Sequence, residues 1–359
     1  MAIHGIEPTS QTYMQLLMGE ILHKPVRRDT LRNIQSWFDK LLALEARRNY
    51  KRTGSKLKRI FTLMAYVGHP ATRDLFLKSL SVNIKYDLDS WNLAILACAR
   101  GGQLDAAEDL LQMLRRQSGT TADGPTLESY HHVIRGYLGH YDSSHFDSPF
   151  RKQPDVDAAI RIFQLMLKDN VVADYTVYAS FLKAYASDNL GLEADEELRI
   201  ETLQRLWQAM MTMSEKDTVH FDDALLESLI DIFTRHNALS YAEQIYWDIR
   251  QREHPISRRN LSSIHQLIIA FARRVQLLSA MSLFYDLMAC GHRPSSLVMC
   301  EIIRACGKRN DIELAEQMLS VVEETQKATD PILRVAKSCH HALKIQRDTA
   351  RRQCTSSIS

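Results

Sequence analysis

Residues 261–295 read LSSIHQLIIAFARRVQLLSAMSLFYDLMACGHRPS, and the chain then continues SLVMCEIIRACGKRNDIELAEQMLSVVEE. The second stretch repeats the apolar pattern of the first. Leu267 recurs as Ile302, Ile268 as Ile303, Ala270 as Ala305, Ala280 as Ala315, Leu283 as Met318 and Phe284 as Leu319, each pair 35 positions apart. Self-similarity at a step of roughly 20–50 residues is the signature of a stacked repeat, and it constrains the fold more than any local motif. Within one copy Leu267, Ile268 and Phe271 share one helical face, and Leu277, Ala280, Met281, Phe284 and Met288 share another. The polar break Ala272-Arg273-Arg274 divides them. Each copy is therefore a helix, a turn and a second helix. Neither helix can bury its apolar side alone, so neighbouring hairpins must stack.

The same unit recurs along the chain. Trp91, Ala94, Ile95 and Cys98 mark a first helix, and Ala106, Ala107, Leu110 and Leu111 mark its second. Further units run over residues 127–174, 175–222 and 223–260, the first two carrying polar insertions near 139–154 and 188–197. Residues 29–44 are amphipathic. A basic segment over 45–59 follows, then a degenerate hairpin over 60–68 and 72–80. The expectation is an all-α fold, a right-handed α-solenoid of about seven or eight hairpins over residues 1–324. Residues 1–9 read as the tail of a hairpin, so the first unit is expected to be truncated. Residues 325–359 are expected to be a capping helix with a frayed tail, since terminal repeats are commonly atypical.

Composition fits a packed chain, 45% hydrophobic and 25% charged. No run approaches the ~18 apolar residues that a membrane span needs. The net charge is +2, unevenly spread: residues 1–60 hold 12 Lys and Arg against 5 acids, and residues 331–359 hold 6 against 1, so the middle is acidic. Basic ends suit phosphate contact. The six cysteines, Cys98, Cys290, Cys300, Cys306, Cys339 and Cys354, form no CxxC pair, which suits a reducing compartment. Cys339-His340-His341 has no second cluster to complete a metal site, so neither metal nor cofactor is expected.

In these features the chain resembles a pentatricopeptide repeat protein. The resemblance rests on the 35-residue step and on the aromatic that opens the first helix (Tyr13, Trp91, Tyr130, Tyr178). It rests also on the second-helix alanine (Ala107, Ala159, Ala242, Ala280, Ala315), on the late methionine (Met166, Met210, Met288) and on the Gly-x-x-Pro tail at 5–8 and 291–294. Tetratricopeptide repeats, with a step of about 34, carry a Leu-Gly in the first helix that is missing here. The resemblance implies a monomeric binder of single-stranded RNA in an organelle, here the mitochondrion, acting in RNA processing, stability or translation.

It implies one base per repeat, read by an early residue of the first helix and by the repeat's last residue. The early positions are Met14, Asn92, His131, Ala179, Glu227, His265 and Cys300; the closing positions are Thr126, Asp174, Asp222, Asn260 and Ser295. Of these, Asn92, His131, His265 and the five closing residues are the candidate base-facing groups. Arg47, Arg48, Lys51, Arg52, Lys56, Lys58 and Arg59 are the candidate phosphate contacts. The family favours Asn, Thr or Ser at the early position, and only Asn92 complies, so no target sequence can be read. The alternative is a protein-interaction scaffold, an assembly factor or ribosome-associated subunit, which the acidic middle favours. An enzyme is not expected, because no HxE…CxxC signature is present.

Overall fold

The computed structural model describes residues 7–23, 26–46, 53–117, 124–141, 154–186, 196–213, 223–252, 256, 260–309 and 311–325, with short pieces between 334 and 349. Among the described residues there are sixteen helices and no strand. The chain divides into two compact units, Met1–Leu192 with Ala209–Met213, and Glu193–Gln208 with Ser214–Ser359.

The first unit is built from α1 (Ser10–Leu22), α2 (Arg28–Ala46), α3 (Thr53–Val67), α4 (Thr72–Ser81), α5 (Leu88–Arg100), α6 (Leu104–Gln117), α7 (Leu127–Tyr137), α8 (Val156–Lys168) and α9 (Tyr175–Ala186). The second unit takes most of α10 (Glu196–Met213), then α11 (Asp223–Arg235), α12 (Leu239–Gln251), α13 (Leu261–Arg273), α14 (Leu277–Ala289), α15 (Ser296–Lys308) and α16 (Ile312–Thr325). Odd-numbered helices are the first helices of their hairpins. Within each unit first helices pack side by side, α1 to α9 in one and α11 to α15 in the other, while even-numbered helices flank them. No described helix is long and apolar enough to cross a membrane.

Small residues set the closeness of the hairpins. Ala107, Ala159, Ala242, Ala280 and Ala315 are all fully buried, which fits close approach of a neighbouring helix. Around them lie the alternating large residues that the helical period predicts, such as Leu267, Ile268, Leu283 and Phe284 in the 261–295 copy. In the first unit Phe61, Phe76, Tyr86 and Trp91 form one aromatic cluster, with ring centroids 4.8 to 5.8 Å apart.

The helix ends are specified locally. Asp87, Asp155 and Asp311 accept from the backbone N–H of Ser90, Ala158 and Leu314 at 3.0, 2.9 and 3.1 Å, which caps α5, α8 and α16. Thr9 and Thr12 cap α1 reciprocally. The turn after a first helix repeats a left-handed residue: Gly68, Gly102, Gly139, Asn237 and Val275 all have φ between 63° and 72°. At Gly68 the backbone also touches the next turn, where a Cβ would meet the Gly101 nitrogen at 2.8 Å.

One sequence expectation shifts. The hairpin expected to start at residue 60 starts earlier. Helix α3 begins at Thr53, so Lys56, Lys58 and Arg59 lie on a helix whose buried face is Leu57, Ile60, Phe61 and Met64. The polar insertions fall largely outside the described residues, as does Asp222. The described residues between 334 and 349 are helical, and Lys344 pairs with Glu316 on α16 at 2.9 Å.

Candidate functional site

The early positions sit on one face of the first helices. In the first unit this row is tied to the next hairpin. Asn92 is 3% exposed; its Nδ2 donates to Glu128 Oε2 at 3.1 Å and its Oδ1 accepts from Ser129 Oγ at 2.6 Å. Both ends of the amide are occupied, so contact with a base would require Glu128 to release it.

His131 stands one hairpin on, half-buried. Ser180 directs its own hydroxyl proton to the Thr176 carbonyl at 2.8 Å, so its oxygen is left to accept from His131 Nε2 at 3.0 Å. Thr176 directs its proton to Asp174 at 2.7 Å and has none for His131 Nδ1, 3.4 Å away. The imidazole is thereby fixed as the Nε2–H tautomer, with Nδ1 a bare acceptor. Burial, then the Arg135 charge, brings its pKa down to about 4, so the ring is neutral near pH 7. His140 donates Nε2–H to the Ser180 carbonyl at 2.6 Å, and burial lowers it too. His132 lies between Tyr141 Oη at 3.1 Å and Glu128 Oε1 at 3.4 Å.

In the second unit His265 is half-buried, and its Nε2 has no hydrogen-bond partner among the described residues. Burial, then the nearby His292, lowers its pKa, so it too is neutral. Of the remaining early positions, Met14, Ala179 and Cys300 are apolar and 4%, 8% and 5% exposed, and Glu227 is a half-buried acid.

The closing positions have a local role that their place in the repeat conceals. Each stands where the next first helix begins. Asp174 Oδ1 accepts from the Thr176 and Val177 N–H groups at 3.0 and 3.2 Å, and Ser295 Oγ from Val298 at 3.4 Å, so both are helix caps. Thr126 starts α7 in a reciprocal pairing with Ser129. Asn260 is 4% exposed and donates Nδ2–H to Asp223 at 3.0 Å.

The anticipated phosphate contacts divide. Lys56 pairs with the buried Glu45 at 2.7 Å, and Lys58 pairs with Asp87 and Asp89, each at 2.8 Å. Arg59 is exposed. Arg47, Arg48, Lys51 and Arg52 lie outside the described residues.

The helix ends bring out a different set of cations. From α5 onward every first helix carries a basic residue in its last turn. These are Arg100, Arg135 and Lys183 in the first unit, and Arg235, Arg273 and Lys308 in the second. Each follows the early position of its own helix by four or eight residues, so it lies on the same helical face. Lys183, Arg235, Arg273 and Lys308 are exposed, and Arg100 and Arg135 are half-exposed. A cation at a helix C-terminus complements the macrodipole. Second helices carry one less regularly: α6, α8 and α12 have a basic last turn, and α10, α14 and α16 have none. The signal was available in sequence as the 35-residue step from Arg273 to Lys308, which matches the step from His265 to Cys300. Within each unit the cations thus share a helical face with an early position, which is polar and neutral at Asn92, His131 and His265 alone. No group of three His, Cys, Asp or Glu side chains suited to a metal occurs among the described residues.

Residues 89–118, the hairpin that carries Asn92, match the family described as the PPR repeat. The chain is thus a helical-repeat protein with a PPR repeat in its first unit. No curated protein matches it in sequence. Among solved structures it is similar to the pentatricopeptide repeat protein PPR10 from maize at 12% identity and a TM-score of 0.47, over 94% of this chain and 48% of that one. It therefore spans about half the length of that protein. PPR10 in complex with an 18-nt psaJ RNA element aligns at 12% identity and a TM-score of 0.32, over 94% of this chain and 52% of that chain. NprR in complex with its cognate peptide NprX aligns at 12% and 0.26, over 94% and 100%.

Proposed function

We propose that this helical-repeat protein binds single-stranded RNA along the face of its first helices, in the mitochondrion, and acts there in RNA processing, stability or translation. Phosphates lie along the cations of each unit, and bases lie against the half-buried His131 and His265. The observation that carries the reading is the cation row, set on the same helical face as the early positions. The PPR repeat at residues 89–118 supports it. Single strands are held in this manner by grooves that pair backbone charge with flat or polar contacts to the bases. The mitochondrial placement rests on the family resemblance.

The test is crosslinking in cells of the tagged full-length protein, with sequencing of the retained RNA and microscopy of the tag. A defined set of mitochondrial transcripts supports the reading. Retention of no RNA above background removes it.

A second reading, a protein-interaction scaffold, is favoured by one observation: Asn92, the early residue of the matched repeat, has its amide closed by Glu128 and Ser129. A partner protein that copurifies at fixed ratio after nuclease treatment would favour the scaffold.

A further inference from the structure

A cavity of about 440 Å³ opens in the second unit where the turns of three consecutive hairpins, α11–α12, α13–α14 and α15–α16, come together. That volume lies within the range of about 300–1,000 Å³ over which proteins hold ligands. Arg274 and Arg309 line the cavity, and each follows directly on a cation of the first helices, Arg273 or Lys308. Successive residues of a helix are turned about 100° from each other, so this second pair leaves the face of the early positions. In the first unit Val67, Gly101 and Leu138 stand at the same place, one residue before a left-handed glycine. Both arginines are exposed, and neither guanidinium has a partner among the described residues.

The apolar part of the lining breaks two local rules. Leu239, Phe271 and Leu277 line the cavity as buried side chains, but Leu278 beside them is 84% exposed, more than any other large apolar side chain described. Val275 has φ 63°, whereas every other described left-handed residue is Gly or Asn. A β-branched residue resists that conformation, and strain of this kind clusters at binding sites. Here it adds a branched apolar group to the cavity wall. Of the lining residues only Glu243 is acidic, and it accepts from Ser279 Oγ at 3.1 Å.

We infer that this cavity docks a segment of a partner protein in which an apolar side chain stands beside acidic ones. The apolar side chain fills the cavity against Val275 and Leu278, and the carboxylates pair with Arg274 and Arg309. A guanidinium takes a carboxylate bidentately, and a polar rim around an apolar anchor is the usual anatomy of a protein contact. A phosphate backbone would use the arginines and leave Leu278 and Val275 without a partner. The inference does not depend on RNA binding, and it gives the scaffold reading a surface.

The test is selection from a displayed library of random heptapeptides on the full chain, followed by fluorescence anisotropy with the selected peptides. Enrichment of Asp or Glu beside Leu, Ile, Phe or Met is expected. Leu278→Ser should weaken the selected peptides about tenfold. The Arg274→Gln, Arg309→Gln variant should abolish their binding. All three side chains are exposed, so unchanged melting of the variants separates lost docking from a lost fold. The docking site is overturned if that pattern is not enriched, or if Leu278→Ser binds the selected peptides as the wild type does. If no such peptide is enriched and the double arginine variant loses affinity for an oligouridylate of about ten nucleotides, the arginines belong to an RNA backbone instead.

Discussion

The two units share one kind of joint and differ in another. Between second helices the joint is the same. Arg115 on α6 forms a bidentate pair with Asp169 at 2.6 and 2.8 Å, and Arg250 on α12 one with Asp286 on α14 at 2.7 and 3.2 Å. In each case a tyrosine hydroxyl, Tyr130 or Tyr246, donates to the same carboxylate. Between first helices the units diverge. In the first unit the seam is polar and closed: Asn92 to Glu128 and Ser129, His131 and His140 to Ser180. In the second unit the α13–α15 seam buries Ile264, Leu267, Ile268, Val298, Met299, Ile302 and Ile303, and its cross-helix polar contact is an ion pair from Arg273 to the buried Glu301 at 3.5 Å. There His265 holds an unpartnered Nε2. One position of the repeat can thus be a bolt in one place and an open polar group in another. Which it becomes depends on the residue facing it one hairpin later.

Acid should expose this difference most strongly. Burial holds His69, His131 and His132 in the first unit at about 4, against 6.5 for a free histidine; for His131 and His132 the Arg135 charge adds to burial, and for His131 Asp174 opposes it. A buried neutral histidine takes up its proton on unfolding. The stability it confers is full above about pH 6.5 and declines as pH falls toward about 4. Each unit of depression is worth about 1.4 kcal/mol when fully expressed, and three such groups share one unit. Hydrogen exchange at pH 7 and pH 5 should show the amides of α3–α9 losing protection before those of α11–α16. Equal loss in both units would erase the contrast.

Next in size is a paired substitution. Asn92→Ala removes the partner of Ser129 and of the Glu128 carboxylate, and should cost about 2 kcal/mol. His265→Leu removes a buried group with no partner at Nε2, and should be neutral or stabilise by up to about 1 kcal/mol. Urea unfolding followed by exchange at each seam would show the opposite signs. Equal costs would mean that the two seams are built alike.

The smallest effect concerns a turn. Val275 has φ 63°, a conformation that a β-branched residue resists, whereas Asn237 at the equivalent place has φ 65°. Val275→Asn should stabilise the second unit by about 1 kcal/mol, read as a rise in its melting temperature. A fall would mean that packing of the valine outweighs the backbone strain.

Much of the fold was legible in the sequence, because the repeat step and the small buried residues are set by packing itself. Ala280 and Ala315 could be placed in advance for that reason. The start of α3 was hidden because Lys56, Lys58 and Arg59 mask an apolar face of Leu57, Ile60 and Phe61, and long basic side chains sit easily beside such a face. The site was less legible. Thr126, Asp174 and Ser295 occupy positions that serve both the end of one repeat and the cap of the next helix, and spacing cannot separate the two roles. The cation row went unread because a basic residue at a helix end is ordinary one helix at a time. Only its recurrence on one face of packed helices gives it meaning.

The central claim is that the cations on the first helices hold a nucleic-acid backbone. It is tested most directly by the salt dependence of RNA affinity in the wild type and in the Arg235→Gln, Arg273→Gln, Lys308→Gln triple variant. Three lost phosphate contacts should reduce the slope of log affinity against log salt by about 2. An unchanged slope, with RNA still bound, would contradict it.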